Sequence, residues 1–100
     1  MTELERQFHS AMISIYENAK DHDYFATYFK RMLDTYQGVE TAKRLLAKQE
    51  IQEGLMKLWG MKLLDQSMEA LVIQERFKPL FTVGEISEAH RRLEDLGYFK

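Results

Sequence analysis

Three polar side chains in the second half of the chain are of types that acid–base chemistry uses, and an arginine accompanies them. Asp65 and Glu69 are four residues apart, so on a helix their carboxylates share one face. Paired carboxylates, and a histidine such as His90 that titrates near neutral pH, serve as general acids and bases. Arg92 adds a positive partner for the carboxylates. The sequence therefore predicts a polar cluster of Asp65, Glu69, His90 and Arg92.

The same residues also fit a structural arrangement, which the sequence favours. Asp65 would cap the helix that follows it, and Glu69 would form a partly buried ion pair with an arginine such as Arg44, Arg91 or Arg92. His90 lies on the helical-wheel arc that contains Val83, and it would be a core-edge residue bonded to a carbonyl.

Metal binding has little support in the sequence. The chain has three histidines, His9, His22 and His90, and none is three or four residues from another, which is the spacing of helical ligand pairs. Asp21 and Asp23 flank His22 and could recruit a divalent ion, but a helix-capping turn explains them better. The absence of cysteine excludes disulfides, thiolate nucleophiles and cysteine-based zinc sites. We expect no metal and no cofactor.

Other catalytic and nucleic-acid-binding patterns are also missing. There is no Gly-x-Ser-x-Gly nucleophile motif and no glycine-rich phosphate loop. Basic residues gather at 43–48 and at 91–92, but the last helix mixes its two arginines with four acidic residues, which would repel phosphates. A nucleic-acid partner is therefore disfavoured, and a small nucleic-acid-associated regulator is kept as an alternative.

An aromatic run opens the second predicted helix. Tyr24, Phe25, Tyr28 and Tyr36 belong to an apolar arc of roughly 180°, wider than the arc of about 100° that a surface helix buries. Tyrosine is favoured at interfaces because it combines apolar area with a polar tip. These four residues are therefore predicted to form an interface with a second copy or another protein. The alternative is a broad core helix in a small bundle.

Composition sets the class of protein. The 100 residues are 45% apolar and 30% charged, with a net charge of −2, which predicts one globular domain spanning 1–100. The acidic, amphipathic N-terminus does not look like a signal peptide. The apolar run at 70–73 is far shorter than the roughly 20 residues that span a bilayer. We expect a cytoplasmic protein with no membrane association.

Apolar residues recur at helical spacing between start and stop signals. Thr2 with Glu5, and Thr82 with Glu85, have capping-box spacing, and Gly38, Gly60 and Gly97 are placed to end helices. The predicted helices cover about residues 3–19, 24–37, 39–47, 51–59, 67–75 and 83–96.

Finer features of these helices follow from individual residues. Asp21 or Asp23 would cap the second helix, and Asp65 or Ser67 would cap the fifth. The fifth helix is apolar around most of its circumference, which is typical of the buried centre of a bundle. The connector after it contains the single proline, which would keep Lys78 extended.

Two stretches of the sequence carry a family resemblance. Residues 38–46 read GVETAKRLL, and a later region combines LD, SMEALVI, FKPLFT and a final GY. In this order they resemble a family of small bacterial proteins and domains of unknown function, with GGVETAKRLL, RLDLTVEALVL and PLFT motifs, over about residues 36–98. Leu63 stands where that family has arginine. The resemblance implies the same order of helices and a bacterial origin, and no activity.

Together these observations predict an all-α protein, an irregular or orthogonal bundle of five to six short helices. The expected function is a non-enzymatic, homo-oligomeric protein–protein interaction module. A nucleic-acid-associated regulator is the first alternative. The second is a small-molecule-binding protein or enzyme that uses His90 with Asp65 and Glu69.

Overall fold

The computed structural model describes residues 1–48 and 53–100, and helices dominate this part of the chain. It contains no strand within those ranges, so the predicted all-α class is confirmed. The start of the predicted fourth helix, at 51–52, lies outside the described residues. The elements in the described ranges are α1 (Glu3–Asp21), α2 (Thr27–Leu46), α3 (Glu53–Gly60), α4 (Met68–Val72) and α5 (Val83–Asp95), with 3-10 helices at Leu64–Gln66 and Glu75–Leu80.

The first and last helices begin at the predicted capping boxes. The Thr2 hydroxyl accepts the Glu5 amide at 3.1 Å, and the Glu5 carboxylate accepts the Thr2 amide at 2.8 Å. Thr82 and Glu85 repeat both bonds at the start of α5. Each pair satisfies backbone amides that have no partner inside the helix, which is why these two boundaries are readable from the sequence.

Helix α2 consists of two helical segments, residues 27–36 and 38–46, separated by Gln37. Gln37 has φ 69° and ψ 175°, so the break confirms the predicted boundary between the second and third helices. Gly38 does not have the predicted left-handed conformation. A Cβ atom there would lie 2.7 Å from the Cα of His9. Gly38 therefore allows α1 and α2 to approach closely, while Gln37 carries the unusual backbone conformation.

Three helices are followed, two residues after their last residue, by a residue with positive φ: Asp23 at 63°, Lys62 at 61° and Gly97 at 80°. In each case the amide of the following residue donates to the carbonyl five residues before it, at 2.8, 2.8 and 3.0 Å. This is the Schellman pattern, for which glycine is preferred. Only Gly97 was predicted in this role, because α3 includes Gly60 and ends two residues before Lys62.

The core lies where α1 packs on α2 and where α4 packs on α5. All five residues of α4 are buried, which confirms its predicted central position. Phe77 adds to the core by meeting Phe8 edge to face, with ring centroids 5.0 Å apart. The fully buried apolar side chains among the described residues are Phe8, Met12, Leu33, Ala42, Val72, Phe77, Ala89 and Leu93.

The connector between α4 and α5 differs from the prediction. Lys78 and Pro79 belong to a 3-10 helix, Glu75–Leu80, so Lys78 is not extended. A 3-10 turn is a common short connector, and it holds Phe77 in the core. Within the described ranges, none of the helices combines the length and apolar character that crossing a bilayer requires.

Candidate functional site

The link between α1 and α2 differs from the prediction in its capping. Asp21 is the last residue of α1, and Asp23 closes that helix in a left-handed conformation. Neither caps α2, whose N-cap is Ala26 with no side-chain hydrogen bond. Helix α2 therefore begins at Thr27, three residues later than predicted, and residues 24–26 form a short non-helical link.

Three of the four predicted interface residues are exposed, and the fourth is partly buried. Phe25 and Tyr28 are each 60% exposed and Tyr36 is 36% exposed, and we call these three the aromatic surface. Tyr24 is only partly exposed, and burial, followed by the nearby charge of Glu53, raises the pKa of its hydroxyl. Large exposed aromatic side chains are the informative exception on a protein surface.

Two cationic side chains lie over the tyrosine rings of the aromatic surface. The Arg44 guanidinium carbon lies 3.9 Å from the ring centre of Tyr36, and Lys48 Nζ lies 5.4 Å from that of Tyr28. A straight helix of 20 residues would span about 30 Å. The Tyr28–Lys48 contact therefore shows that the two segments of α2 fold back on each other at Gln37. Cation–π contacts of this kind hold the aromatic rings in place.

A cavity of about 480 Å³ lies beside the aromatic surface. Its wall comes from the end of α1, the link at 24–26, the start of α2, α3 and α4, and it is mostly apolar and aromatic. Phe25 and Tyr28 belong to both the wall and the exposed surface, so they stand at its mouth. Among the described residues, the acidic ones that line it are Glu53 and Glu69.

Arg92 is completely buried and joins three helices. Its Nε donates to Glu88 at 2.7 Å within α5, and its Nη1 donates to Glu69 of α4 at 3.2 Å. Its Nη2 donates to carbonyls at the end of α2, including those of Leu45 at 3.2 Å and Lys48 at 2.6 Å. A cation at a helix C-terminus is favourable because the last carbonyls lack helical partners. The predicted Glu69–arginine ion pair is confirmed.

The two carboxylates that share Arg92 differ in their surroundings. The pKa of Glu88 is lowered to about 2: the hydrogen bonds from Arg91 lower it most, burial opposes them, and the hydrogen bond from Arg92 lowers it further. Burial raises the pKa of Glu69, and its own backbone amide and Arg92 oppose that effect.

Asp65 does not take part in this cluster. It is exposed in the 3-10 helix that precedes α4. Ser67 caps α4 instead, because its hydroxyl accepts the Ala70 amide at 3.2 Å and donates to the Leu64 carbonyl at 2.6 Å. The four-residue spacing to Glu69 assumed one continuous helix, whereas the helix begins only at Met68. The prediction that Asp65 and Glu69 share a helical face is therefore wrong.

His90 is also separate from the buried pair. It is exposed on α5 and stacks on Phe99, with ring centroids 4.4 Å apart. The buried residues of α5 are Ala89, Arg92 and Leu93, so the buried arc is rotated away from the side that was predicted. Arg92 occupies the interior position that His90 was expected to hold, because a guanidinium with several hydrogen-bond partners can be buried.

The predicted capping turn around His22 has a structural role. His22 is the C-cap of α1, and its Nδ1 is 2.9 Å from the Asn18 carbonyl. In residues 1–48 and 53–100, no group of three or more histidine, aspartate or glutamate side chains is arranged to hold a metal ion.

The residues that sequence reasoning missed are those brought in by long-range packing. Lys48 meets Tyr28 across the α2 hairpin, and Glu53 reaches the cavity from α3. No local spacing predicts either contact. The burial of Arg92 had a weak signal, since it is adjacent to Leu93 and three residues after Ala89 on an amphipathic helix.

The chain matches none of the protein-family models, curated proteins or solved structures with which it was compared. The resemblance noted over residues 36–98 therefore stays a resemblance. The aromatic surface, the cavity and the cluster of Arg92 with Glu69 and Glu88 are the features that bear on its function.

Proposed function

We propose that this chain is a non-enzymatic interaction module that forms a homodimer through the aromatic surface, Phe25, Tyr28 and Tyr36. The observation that carries the proposal is the exposure of these three side chains, 60%, 60% and 36%, on one helical hairpin and its entry. Aromatic residues with these exposures are enriched at the anchors of protein interfaces.

The amount of exposed aromatic area suits an interface anchor. At about 200 Å² for each ring, the three side chains present about 300 Å². A stable interface buries about 800 Å² on each partner, most of it around a few anchors. The aromatic surface would supply the central part of such an area, and neighbouring polar residues would supply the rim.

A second copy is the partner that the charges favour. The surface carries both signs, because Arg44 and Lys48 stack on its tyrosines, Glu40 is 3.0 Å from Arg44, and Glu53 lies on the adjacent cavity wall. A two-fold interface brings the same patch together from both subunits, so a patch with mixed charge can complement itself. A partner with a strong net charge of one sign would not meet a surface of the opposite sign here.

The alternative functions have less support. Lys43 and Arg91 of the basic groups pair with Glu85 and Glu88, at 2.8 and 2.7 Å, and Arg92 is buried. Paired or buried cations contribute little to phosphate binding. The proposed acid–base group of His90, Asp65 and Glu69 is dispersed, with the first two exposed on separate elements.

Size-exclusion chromatography with light scattering over a concentration series tests the proposal. The wild type is expected to reach twice the mass of one chain, and Tyr28→Asp is expected to remain at the mass of one chain because it places a charge at the interface centre. Val83→Asp is the matched control. Val83 is 82% exposed on α5, and an aspartate in the first turn of a helix is favourable.

Two results would contradict the homodimer. One is a wild-type chain that stays at the mass of a single chain up to millimolar concentration. The other is an equal loss of association in Val83→Asp and Tyr28→Asp, which would place the interface elsewhere.

A further inference from the structure

The cavity beside the aromatic surface has the features of a small-molecule site. Its volume of about 480 Å³ falls within the range of about 300 to 1,000 Å³ in which proteins hold small organic ligands. It is mainly apolar, and the aromatic rings of Tyr16, Tyr24, Phe25, Tyr28 and Phe29 contribute to its wall. Such sites combine apolar walls with a few polar groups that fix the orientation of a ligand.

The charged residues on the described wall of the cavity are acidic. Glu69 is 3% exposed, and Glu53 lines the wall from α3. No lysine or arginine of the described residues lines the cavity. Arg92, the nearest guanidinium to Glu69, has all three nitrogen atoms engaged with Glu88, Glu69 and carbonyls of α2.

Glu69 retains capacity for another hydrogen bond. Among the described residues, its carboxylate accepts one bond of 3.2 Å from Arg92 at Oε2 and one from its own backbone amide. An ionised carboxylate has about four acceptor positions on its two oxygens. A buried carboxylate is stabilised by each further donor, so the acceptor positions that remain on Glu69 beside Arg92 and the backbone amide suit a ligand that donates a hydrogen bond.

We propose that this cavity binds a small organic amine, whose ammonium group pairs with Glu69 and whose aromatic or branched aliphatic body packs on the aromatic wall. The inference does not depend on the homodimer, although Phe25 and Tyr28 take part in both surfaces.

The cationic ligand follows from charge and from the rings. An organic acid of the same size would meet two carboxylates and no free cation on the described wall, whereas an ammonium group meets opposite charge. Aromatic faces also attract cations, and several rings around one cavity are a recurrent solution for binding amines. A neutral ligand would gain the apolar contacts but leave Glu69 unpaired.

Three probes of matched shape test the assignment: 2-phenylethylamine, 2-phenylethanol and 3-phenylpropanoate. Binding is followed by backbone amide NMR shifts in the dilute wild-type protein, where association is weakest. The amine is expected to shift the amides of Ala19, Gly54 and Met68 and to bind at least about tenfold more tightly than the alcohol, because a charge-assisted bond is added. The acid is expected to produce no shifts at these positions.

Two variants locate the site. Glu69→Gln is expected to bring the affinity for the amine down to that for the alcohol. Gly54→Leu should block binding of both the amine and the alcohol, because a Cβ at Gly54 lies at an ordinary 3.5 Å from the Tyr24 hydroxyl and a longer side chain would grow towards the cavity. Gly60→Leu is the matched control, since a Cβ there meets no atom within 4 Å.

The assignment is overturned if the amine and the alcohol bind the wild type equally, or if neither perturbs the three amides. It is also overturned if Glu69→Gln keeps the preference for the amine. If Glu69→Gln fails to fold, the probe comparison on the wild type and the Gly54→Leu result still decide. Light scattering on the same samples reports the homodimer separately, so failure of one proposal is distinguishable from failure of the other.

Discussion

Gly38 and Gln37 are adjacent residues for which opposite effects on stability are expected. A Cβ at Gly38 would lie 2.7 Å from the Cα of His9 and 3.1 Å from its backbone nitrogen. Non-bonded carbon atoms are normally 3.5 to 4.0 Å apart, so Gly38→Ala is short by about 1 Å. The obstructing atoms are backbone, which means that α1 and α2 have to separate.

The magnitude follows from two opposing contributions. Inserting a methyl group into a packed interior costs about 1–3 kcal/mol, whereas replacing glycine by alanine inside a helix gains about 1 kcal/mol. Because the overlap is with backbone atoms, the cost lies at the upper end of its range, and Gly38→Ala is expected to lower the free energy of unfolding by about 2 kcal/mol. Since about 1 kcal/mol shifts the Tm of a domain of this size by about 4–8 °C, the expected loss is about 8–16 °C.

Gln37→Gly is expected to have the opposite sign. The dihedral angles of Gln37, φ 69° and ψ 175°, fall in a region that is almost restricted to glycine and costs about 1–3 kcal/mol for other residues. Glycine removes this strain but loses about 0.5–1 kcal/mol through its greater freedom in the unfolded chain. A net gain of about 1 kcal/mol is expected.

Urea and thermal unfolding followed by circular dichroism measure both changes. Gly60→Ala is the control, because a Cβ at Gly60 meets no atom within 4 Å and the residue lies in α3. It should be neutral or slightly stabilising. If Gly38→Ala is as stable as Gly60→Ala, the close approach of α1 and α2 is refuted, and if Gln37→Gly is destabilised, the strain at the hairpin is refuted.

Two further predictions concern the Arg92 cluster. Arg92→Lys is expected to lower the free energy of unfolding by about 3 kcal/mol in chemical denaturation, because an ammonium cannot reproduce the planar set of bonds and leaves buried acceptors unpaired; Arg91→Lys, which changes an exposed arginine, should alter stability little. Acid titration of stability tests Glu88: its folded pKa of about 2 lies below the ordinary value of 4.5, so its contribution is complete above pH 4.5 and is lost as the pH falls towards 2. In Glu88→Gln the free energy of unfolding should fall less steeply as the pH decreases, and an unchanged pH dependence would contradict the low pKa of Glu88. The raised pKa of Glu69 affects stability with the opposite sign, so Glu69→Gln serves as a separate comparison.

The parts of the fold that could be predicted are those that local chemistry decides. Thr2 and Thr82 begin helices because each lies three residues before a glutamate, and both capping boxes form within a few bonds along the chain. The break near Gly38 was also readable, since glycine interrupts the apolar periodicity. These features need no knowledge of what the helix packs against.

The remaining details depend on tertiary contacts that no spacing encodes. Asp23 and Lys62 adopt left-handed conformations, for which sequence-based prediction expects glycine. The Schellman hydrogen bonds stabilise both residues in this conformation. Gly38 was placed correctly but for a different reason, its proximity to His9. The two roles of glycine, positive φ and close approach, cannot be separated until the neighbouring helix is known.

The candidate site was predicted in part for the same reason. Phe25, Tyr28 and Tyr36 are exposed as the interface hypothesis required, because the helix has more aromatic residues than one buried face accommodates. His90 was expected near the core, whereas the structure exposes His90 and buries Arg92. A hydropathy pattern treats arginine as exposed, whereas the burial of Arg92 depends on five hydrogen bonds, four of them to partners distant in the sequence.

Arg92 connects the two proposed functional surfaces. By binding the last carbonyls of α2 it fixes the end of the hairpin, where Lys48 stacks on Tyr28 of the aromatic surface. Through the same guanidinium it holds Glu69 on the cavity wall. A shift of this one group would therefore move the aromatic surface and the carboxylate together. Amine binding at Glu69 and association through Tyr28 are consequently expected to affect each other through Arg92, and a binding isotherm for the amine that is the same in monomer and dimer would show that they do not.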